Sequence, residues 1–149
     1  MTLDQETELS SAETDALLGR HETGVLSLAR DDEPYAIPVS YGYDPDARRV
    51  YLRLVTTPDS EKRRFLVDAP RASLVVYETD GDGYRSAVAT GRLSEIDRED
   101  LTVEHVEQFG DAKRPLFEVW EEERPALDVT LYRLDPDDLG GREIGAGDE

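Results

Sequence analysis

Short apolar runs broken by polar turns recur along this chain, and they restrict it to β-structure with a few helical crossovers. TGVLSLA (Thr23–Ala29), RVYLRLV (Arg49–Val55) and ASLVVYE (Ala72–Glu78) are rich in branched and aromatic residues, as strands are. Thr23–Ala29 and Tyr35–Tyr43 flank Arg30-Asp31-Asp32-Glu33, which predicts a hairpin, and Asp44-Pro45-Asp46 turns the chain into Arg49–Val55. A second hairpin, Arg71–Glu78 with Tyr84–Ile96, closes around Asp80-Gly81-Asp82-Gly83, residues that tolerate positive φ. The last predicted strand is Ala126–Leu134.

Helical signals fall between these runs. Ser10 and Glu13 form an S-x-x-E capping box, Leu17 and Leu18 supply an apolar patch and Gly19 ends the segment. Asp59–Val67 reads as a crossover helix with Phe65 and Leu66 turned inward, and Asp97–Phe109 as an amphipathic helix. Six strands with short connections predict a mainly β fold, a small closed or split antiparallel barrel with flanking helices; a sandwich is the competing architecture. The 149 residues make one domain, with a core at about 17–134 and loosely held tails at 1–9 and 135–149.

Charge narrows the partners. With 35 acidic against 17 basic residues the formal net charge is −18, which repels phosphate backbones and anionic membranes, so neither nucleic acid nor membrane is expected as a partner. Lys62 and Lys113 are the only lysines; many carboxylates with few lysines read as a salt-adapted surface. Cysteine is absent, which removes disulfides, thiolate metal sites and a catalytic thiol. The acidic N-terminus does not read as a signal peptide and no run is long enough for a membrane helix, so a cytoplasmic protein is expected.

Two places hint at chemistry. Split by its period of two, Tyr35–Tyr43 has a bulky face (Ile37, Val39, Tyr41, Tyr43) and a small one (Ala36, Pro38, Ser40, Gly42). Small side chains let a planar ring approach the backbone, and a proline marks a strand edge or irregularity; a packed chain or helix is the plain alternative. The second place is Arg53 followed by Ser60, Glu61, Lys62, Arg63 and Arg64, a basic cluster at the start of the predicted crossover helix, which suits a monophosphate. Its plain alternative is a solvated helix paired with surface carboxylates.

Other residue types carry less. His21 and His105 are too far apart in sequence to suggest a metal site, and no metal is expected. His21-Glu22 could act as acid and base at a barrel mouth, although a solvated loop histidine is the simpler reading. No nucleophile turn supports a hydrolase triad, and Trp120 reads as core.

Taken in order, His21–Leu28, Pro34–Tyr41, Val50–Arg53, Lys62 and Ala69–Tyr77 resemble the pyridoxamine 5′-phosphate oxidase-like FMN-binding split barrels, and within them the small nitroimidazole-resistance-type branch. The resemblance runs from about Leu17 to Leu134. It implies a homodimer with FMN at the subunit interface and an oxidoreductase working between a small-molecule electron donor and acceptor. It also places Ile37, Pro38, Val39, Ser40 and Tyr41 along the flavin ring, Arg53 and Leu54 near the ribityl phosphate, and Ser60, Lys62 and Arg63 in the phosphate turn. The deazaflavin F420 is the alternative cofactor, and a non-enzymatic flavin-binding role the alternative function. Catalytic residues are not assigned. Two departures stand out: the His and Gly that many relatives carry before the basic turn are replaced by Leu54–Ser60, and no C-terminal substrate clamp is recognisable. True pyridoxamine phosphate oxidation is therefore not expected.

Overall fold

The computed structural model of the chain describes residues 5–56, 61–96 and 128–145. In chain order the elements are β1 (Gln5–Glu8), α1 (Ser11–Arg20), β2 (Thr23–Arg30), β3 (Glu33–Asp44), β4 (Arg49–Thr56), α2 (Lys62–Phe65), β5 (Arg71–Asp80), β6 (Gly83–Glu95) and β7 (Asp128–Gly145). All pairings are antiparallel. The sheet order β1-β7-β4-β3-β2-β5-β6, with a further β7–β6 pairing, joins six strands into a closed ring, and β1 lies outside it on β7.

Local chemistry explains most boundaries. Ser10 caps α1: its hydroxyl accepts from the Glu13 amide while the Glu13 carboxylate accepts from the Ser10 amide, the predicted capping box. Asp31 and Asp32, at φ 50° and 70°, make the left-handed two-residue turn that suits a twisted β2–β3 hairpin, and short Asp side chains tolerate that conformation. Gly81, at φ 63°, does the same between β5 and β6.

Leu26, Val50, Leu52, Leu74, Val76, Leu93 and Leu134 fill the barrel, and α1 closes one end with Leu17 and Leu18, all essentially fully buried. Each such leucine contributes about 1.5–3 kcal/mol. Tyr41 and Tyr43 reach from β3 to this helix: the Tyr41 hydroxyl donates to the Leu18 carbonyl at 2.6 Å and the Tyr43 hydroxyl to Asp15 at 2.6 Å. Burial raises both phenols, Tyr43 to about 12, so both remain donors at ordinary pH.

Three expectations need correction. The crossover helix predicted over Asp59–Val67 is reduced to the single turn of α2; Ser60 lies outside the described residues. The segment after Leu134 is not a loose tail: β7 continues to Gly145, paired along β6 and strapped by Arg49 to Asp135 and by Arg71 to Asp137. Gln5–Glu8 is a strand on the end of β7 rather than a tail, the seventh among the described residues and outside the six-stranded ring that was expected. The predicted helix at 97–109, His105 and Trp120 lie outside the described residues. No described helix is long and apolar enough to cross a membrane.

Candidate flavin site

The barrel is split beside the strand with the small-residue face. β3 pairs with β2 over Glu33–Ser40 but with β4 only over Tyr41–Asp44, while β4 from Arg53 onward pairs only with β7. Continuing the β3–β4 ladder would set Arg53 opposite Ser40 and Leu54 opposite Val39; instead the strands part there. Among the described residues no strand pairs with the β4 side of Ile37–Ser40, so that side is a sheet edge that a ligand's polar rim could approach.

Side chains along this edge divide as their period requires. Val39 and Tyr41 are buried in the barrel core, and Ile37, half-buried, packs against it. Ala36 and Pro38 point outward and are exposed, whereas Ser40, with the same parity, is buried. On β4, Leu54 is buried in the core and Arg53 is half-exposed. A ring laid along Ile37–Tyr41 would thus meet backbone, Pro38 and Ser40, because the larger side chains are spent on packing.

α2 sits over the same end of the barrel. Phe65 is 2 % exposed and stacks on Tyr35 with ring centroids 4.9 Å apart and planes 9° from parallel. Arg64 pairs with Glu33 at 3.0 Å, its guanidinium lies 4.9 Å from the Phe65 ring, and Arg30 donates to its carbonyl. Arg64, one of the basic cluster, is thus used to fasten α2 to the β2–β3 hairpin. Lys62 is half-buried, and burial lowers its pKa. Arg63 is exposed and lines an 820 Å³ concavity with Leu66, Ala69, Leu93 and Tyr132. A four-residue helix with Glu61 in helical conformation and no side-chain cap offers little as a helix N-terminus for anions. A phosphate at this turn would rely on the lysine and arginine side chains.

Sequence reasoning missed a second feature. A groove of about 460 Å³ opens on the outer face, lined by Thr23, Gly24, Val25, Pro38, Val75, Tyr77, Glu78 and Thr79; Pro38 belongs both to this groove and to the split edge. At its end Arg20 grips Glu78 through two bonds of 2.6 and 3.0 Å, His21 Nε2 lies 2.6 Å from the same carboxylate, and Arg85 adds a contact at 3.3 Å. His21 is therefore bound in a network and is not a solvated loop residue. Arg20 above all, then His21, holds the Glu78 carboxyl down at about 2.

That depression fixes a pH dependence. Glu78's ionised form contributes its full stability above the ordinary carboxylate value of 4.5, and the contribution is lost as pH falls through about 2. The thermal midpoint is expected to fall across this acid window more steeply in the wild type than in Glu78→Gln; parallel curves by circular dichroism would refute the assignment. Glu13, Glu33 and Asp137 are lowered too and add to the acid loss in both proteins.

The outer face around the groove is unusual for so charged a chain. Pro38, Val25, Val75 and Val88 stand in register across β3, β2, β5 and β6, and beside them run Ala36, Ser27, Ser73 and Thr90, the last two bonded at 2.7 Å. These two rows hold no charged residue, although 35 % of the chain is charged. Among the described residues no cluster of His, Asp and Glu could hold a metal ion.

Comparison with known proteins gives the same fold. An FAD-binding protein from Mesorhizobium loti is 26 % identical with a TM-score of 0.70, covering 95 % of this chain and 98 % of its own. An FAD-binding protein from Mycobacterium smegmatis is 18 % identical, with a TM-score of 0.67 and coverage of 95 % and 100 %. A candidate 5-nitroimidazole antibiotic resistance protein from Bacteroides thetaiotaomicron is 14 % identical, with a TM-score of 0.71 and coverage of 99 % and 93 %. No curated protein matches the chain. The model of the family described as pyridoxamine 5′-phosphate oxidase matches residues 10–143, nearly the whole barrel with its capping helix, and the chain belongs to that family.

Proposed function

We propose that this chain is a flavin-dependent oxidoreductase that holds FMN along the split edge of β3, with its phosphate at the Lys62–Arg63 turn. The interrupted β3–β4 ladder carries this reading, because it leaves a strand edge over Ile37–Ser40 at the barrel end where α2 brings Lys62 and Arg63. The residues present fit such a cofactor: an edge for the polar rim of the ring, exposed Ala36 and Pro38 that permit close approach, and cations for a phosphate. Bound flavin would supply two-electron transfer, and this chain's residues would bind it, orient it and limit access to it. The solved structures that bind FAD support a flavin in general.

In this reading the chain works as a homodimer with the flavin near the subunit interface, and the two uncharged rows on β3, β2, β5 and β6 form its seam. A second copy meets an 18-fold negative molecule most easily where neither carries charge. Val75→Arg, at the centre of that seam, is expected to convert the dimer to monomer in sedimentation equilibrium; an unchanged mass moves the interface elsewhere.

The deciding experiment is a visible spectrum of the protein purified in high salt, with the released cofactor identified by mass. FMN at about one per chain supports the proposal. FAD or F420 corrects the cofactor, and a colourless protein that refuses all three leaves a non-flavin role on the same barrel.

A further inference from the structure

We propose that Glu33 and Tyr35 set the flavin's phosphate seat: they clamp α2 to the strand that carries the ring seat, and so hold Lys62 and Arg63 at a fixed reach from Ile37–Tyr41. The proposal rests on the flavin reading above and on its placing the phosphate at the Lys62–Arg63 turn. α2 has little of its own to keep it in place. It is four residues long and has no side-chain cap, and its turn is tied by the Arg64 amide donating to the Glu61 carbonyl at 3.1 Å and the Leu66 amide to the Arg63 carbonyl at 3.3 Å. Its position comes from the barrel. Phe65 is buried and stacks on Tyr35, Arg64 donates to the Glu33 carboxylate through two nitrogens at 3.0 and 3.2 Å, and the Arg64 carbonyl accepts from Arg30 at 3.1 Å.

The other end of the clamp lies on the strand that would carry the ring. Glu33 and Tyr35 stand four and two residues before Ile37 on β3, about 13 and 7 Å along the strand. β3 is paired with β2 throughout Glu33–Ser40, so the clamp points and the ring seat belong to one ribbon. Both side chains have the parity of Val39 and Tyr41, opposite to that of Ala36 and Pro38, so the clamp lies off the face proposed as the subunit seam. A ligand seated at both ends binds well only when the two seats are held at the right separation, and contacts behind the seats do the holding. Glu33 and Tyr35 are thus positioning residues, acting on the phosphate through Arg64 and Phe65.

FMN and riboflavin, which share ring and ribityl chain and differ in the phosphate, are the probes. They are titrated at the lowest salt that keeps the protein folded, because salt screens the exposed pair under test. Glu33→Gln decides by sign. It removes a negative charge and frees Arg64 from one of its two carboxylates, so charge alone would make the phosphate bind more tightly. Loss of the clamp makes it bind more weakly. FMN affinity is expected to fall about threefold, in keeping with an exposed pair. Tyr35→Leu, which changes no charge, should lower it about fivefold through the lost ring stack, and the two together at least about tenfold. Riboflavin affinity should stay within about twofold in all three, since the ring seat is untouched. Without any flavin present, amide exchange at Arg64 and Leu66 should quicken in both single variants. FMN bound as tightly or more tightly by Glu33→Gln, or FMN and riboflavin weakened alike, overturns the proposal and leaves the phosphate seat standing. A wild type that binds neither flavin, or FMN no better than riboflavin, overturns the phosphate seat and the clamp's role with it.

Discussion

A chain carrying Lys62→Glu and Arg53→Ala together is expected to bind FMN at least a hundredfold more weakly than the wild type, with the barrel intact. Hydrogen bonds to charged groups contribute about 1.5–3 kcal/mol each, so two lost phosphate contacts amount to about 3–6 kcal/mol, or two to four decades in affinity. Neither residue belongs to the barrel's apolar core: Arg53 is half-exposed on the outer face of β4, and Lys62 is half-buried in α2. The far-ultraviolet spectrum and thermal midpoint should therefore stay close to those of the wild type. Equilibrium titration with FMN reads the outcome. Affinity within threefold of the wild type would place the phosphate away from this turn, and an unfolded double variant calls for the single Arg53→Ala, for which a loss of about tenfold is expected.

The second large effect lies at the closure of the barrel. Gly91 sits where the β6–β7 register shifts, and a Cβ there would stand 2.0 Å from the Asp135 carbonyl oxygen and 2.7 Å from the Pro136 Cα. Both are backbone atoms on a strand paired along its length, so the clash cannot be relieved by turning a side chain. Gly91→Ala is expected to cost about 3 kcal/mol or more, beyond the usual range of overpacking, and to lower the thermal midpoint by roughly 6–12 °C. Gly140→Ala is the control: its Cβ would meet nothing within 4 Å, and its φ is not positive. That variant should be neutral or slightly stabilising. Equal midpoints for the two variants would show that β7 yields at Gly91.

Much of this fold was legible because its strongest signals are local. The capping box at Ser10 and Glu13 and the Asp31-Asp32 and Gly81-Asp82 turns each lie within a few residues and appear as read, while the period of two along Tyr35–Tyr43 shows in burial only as far as Val39, after which both faces of β3 are covered. The split edge was anticipated through Pro38 and its small neighbours. The groove was not, since Thr23, Pro38 and Tyr77 come from three strands and meet only once the sheet order is known. Part of the Glu78 network could have been found: a two-residue turn at Gly81-Asp82 sets Glu78 directly opposite Arg85. Its links to Arg20 and His21 span 58 and 57 residues and leave no local trace. The C-terminal half of β7 was misread because Asp135–Asp138 and Gly140-Gly141 look like coil. Pairing with β6 and arginines from other strands outweigh those weak propensities.

β7 is hydrogen-bonded first to β4 and then to β6, and it touches both only over Tyr132–Leu134, opposite Val50–Leu52 on one side and Leu93–Glu95 on the other. Those three residues are the clasp of the ring, and they emerge from the ribosome after every other barrel strand. Until then β4 and β6 present bare edges rich in valine, leucine and alanine, and a nascent chain in that state can pair with a neighbour as readily as with itself. Closure also joins segments about 80 residues apart in sequence, a separation that slows folding. The dense negative charge, 35 acidic residues against 17 basic, then repels one unfinished barrel from another while their last strand is being made.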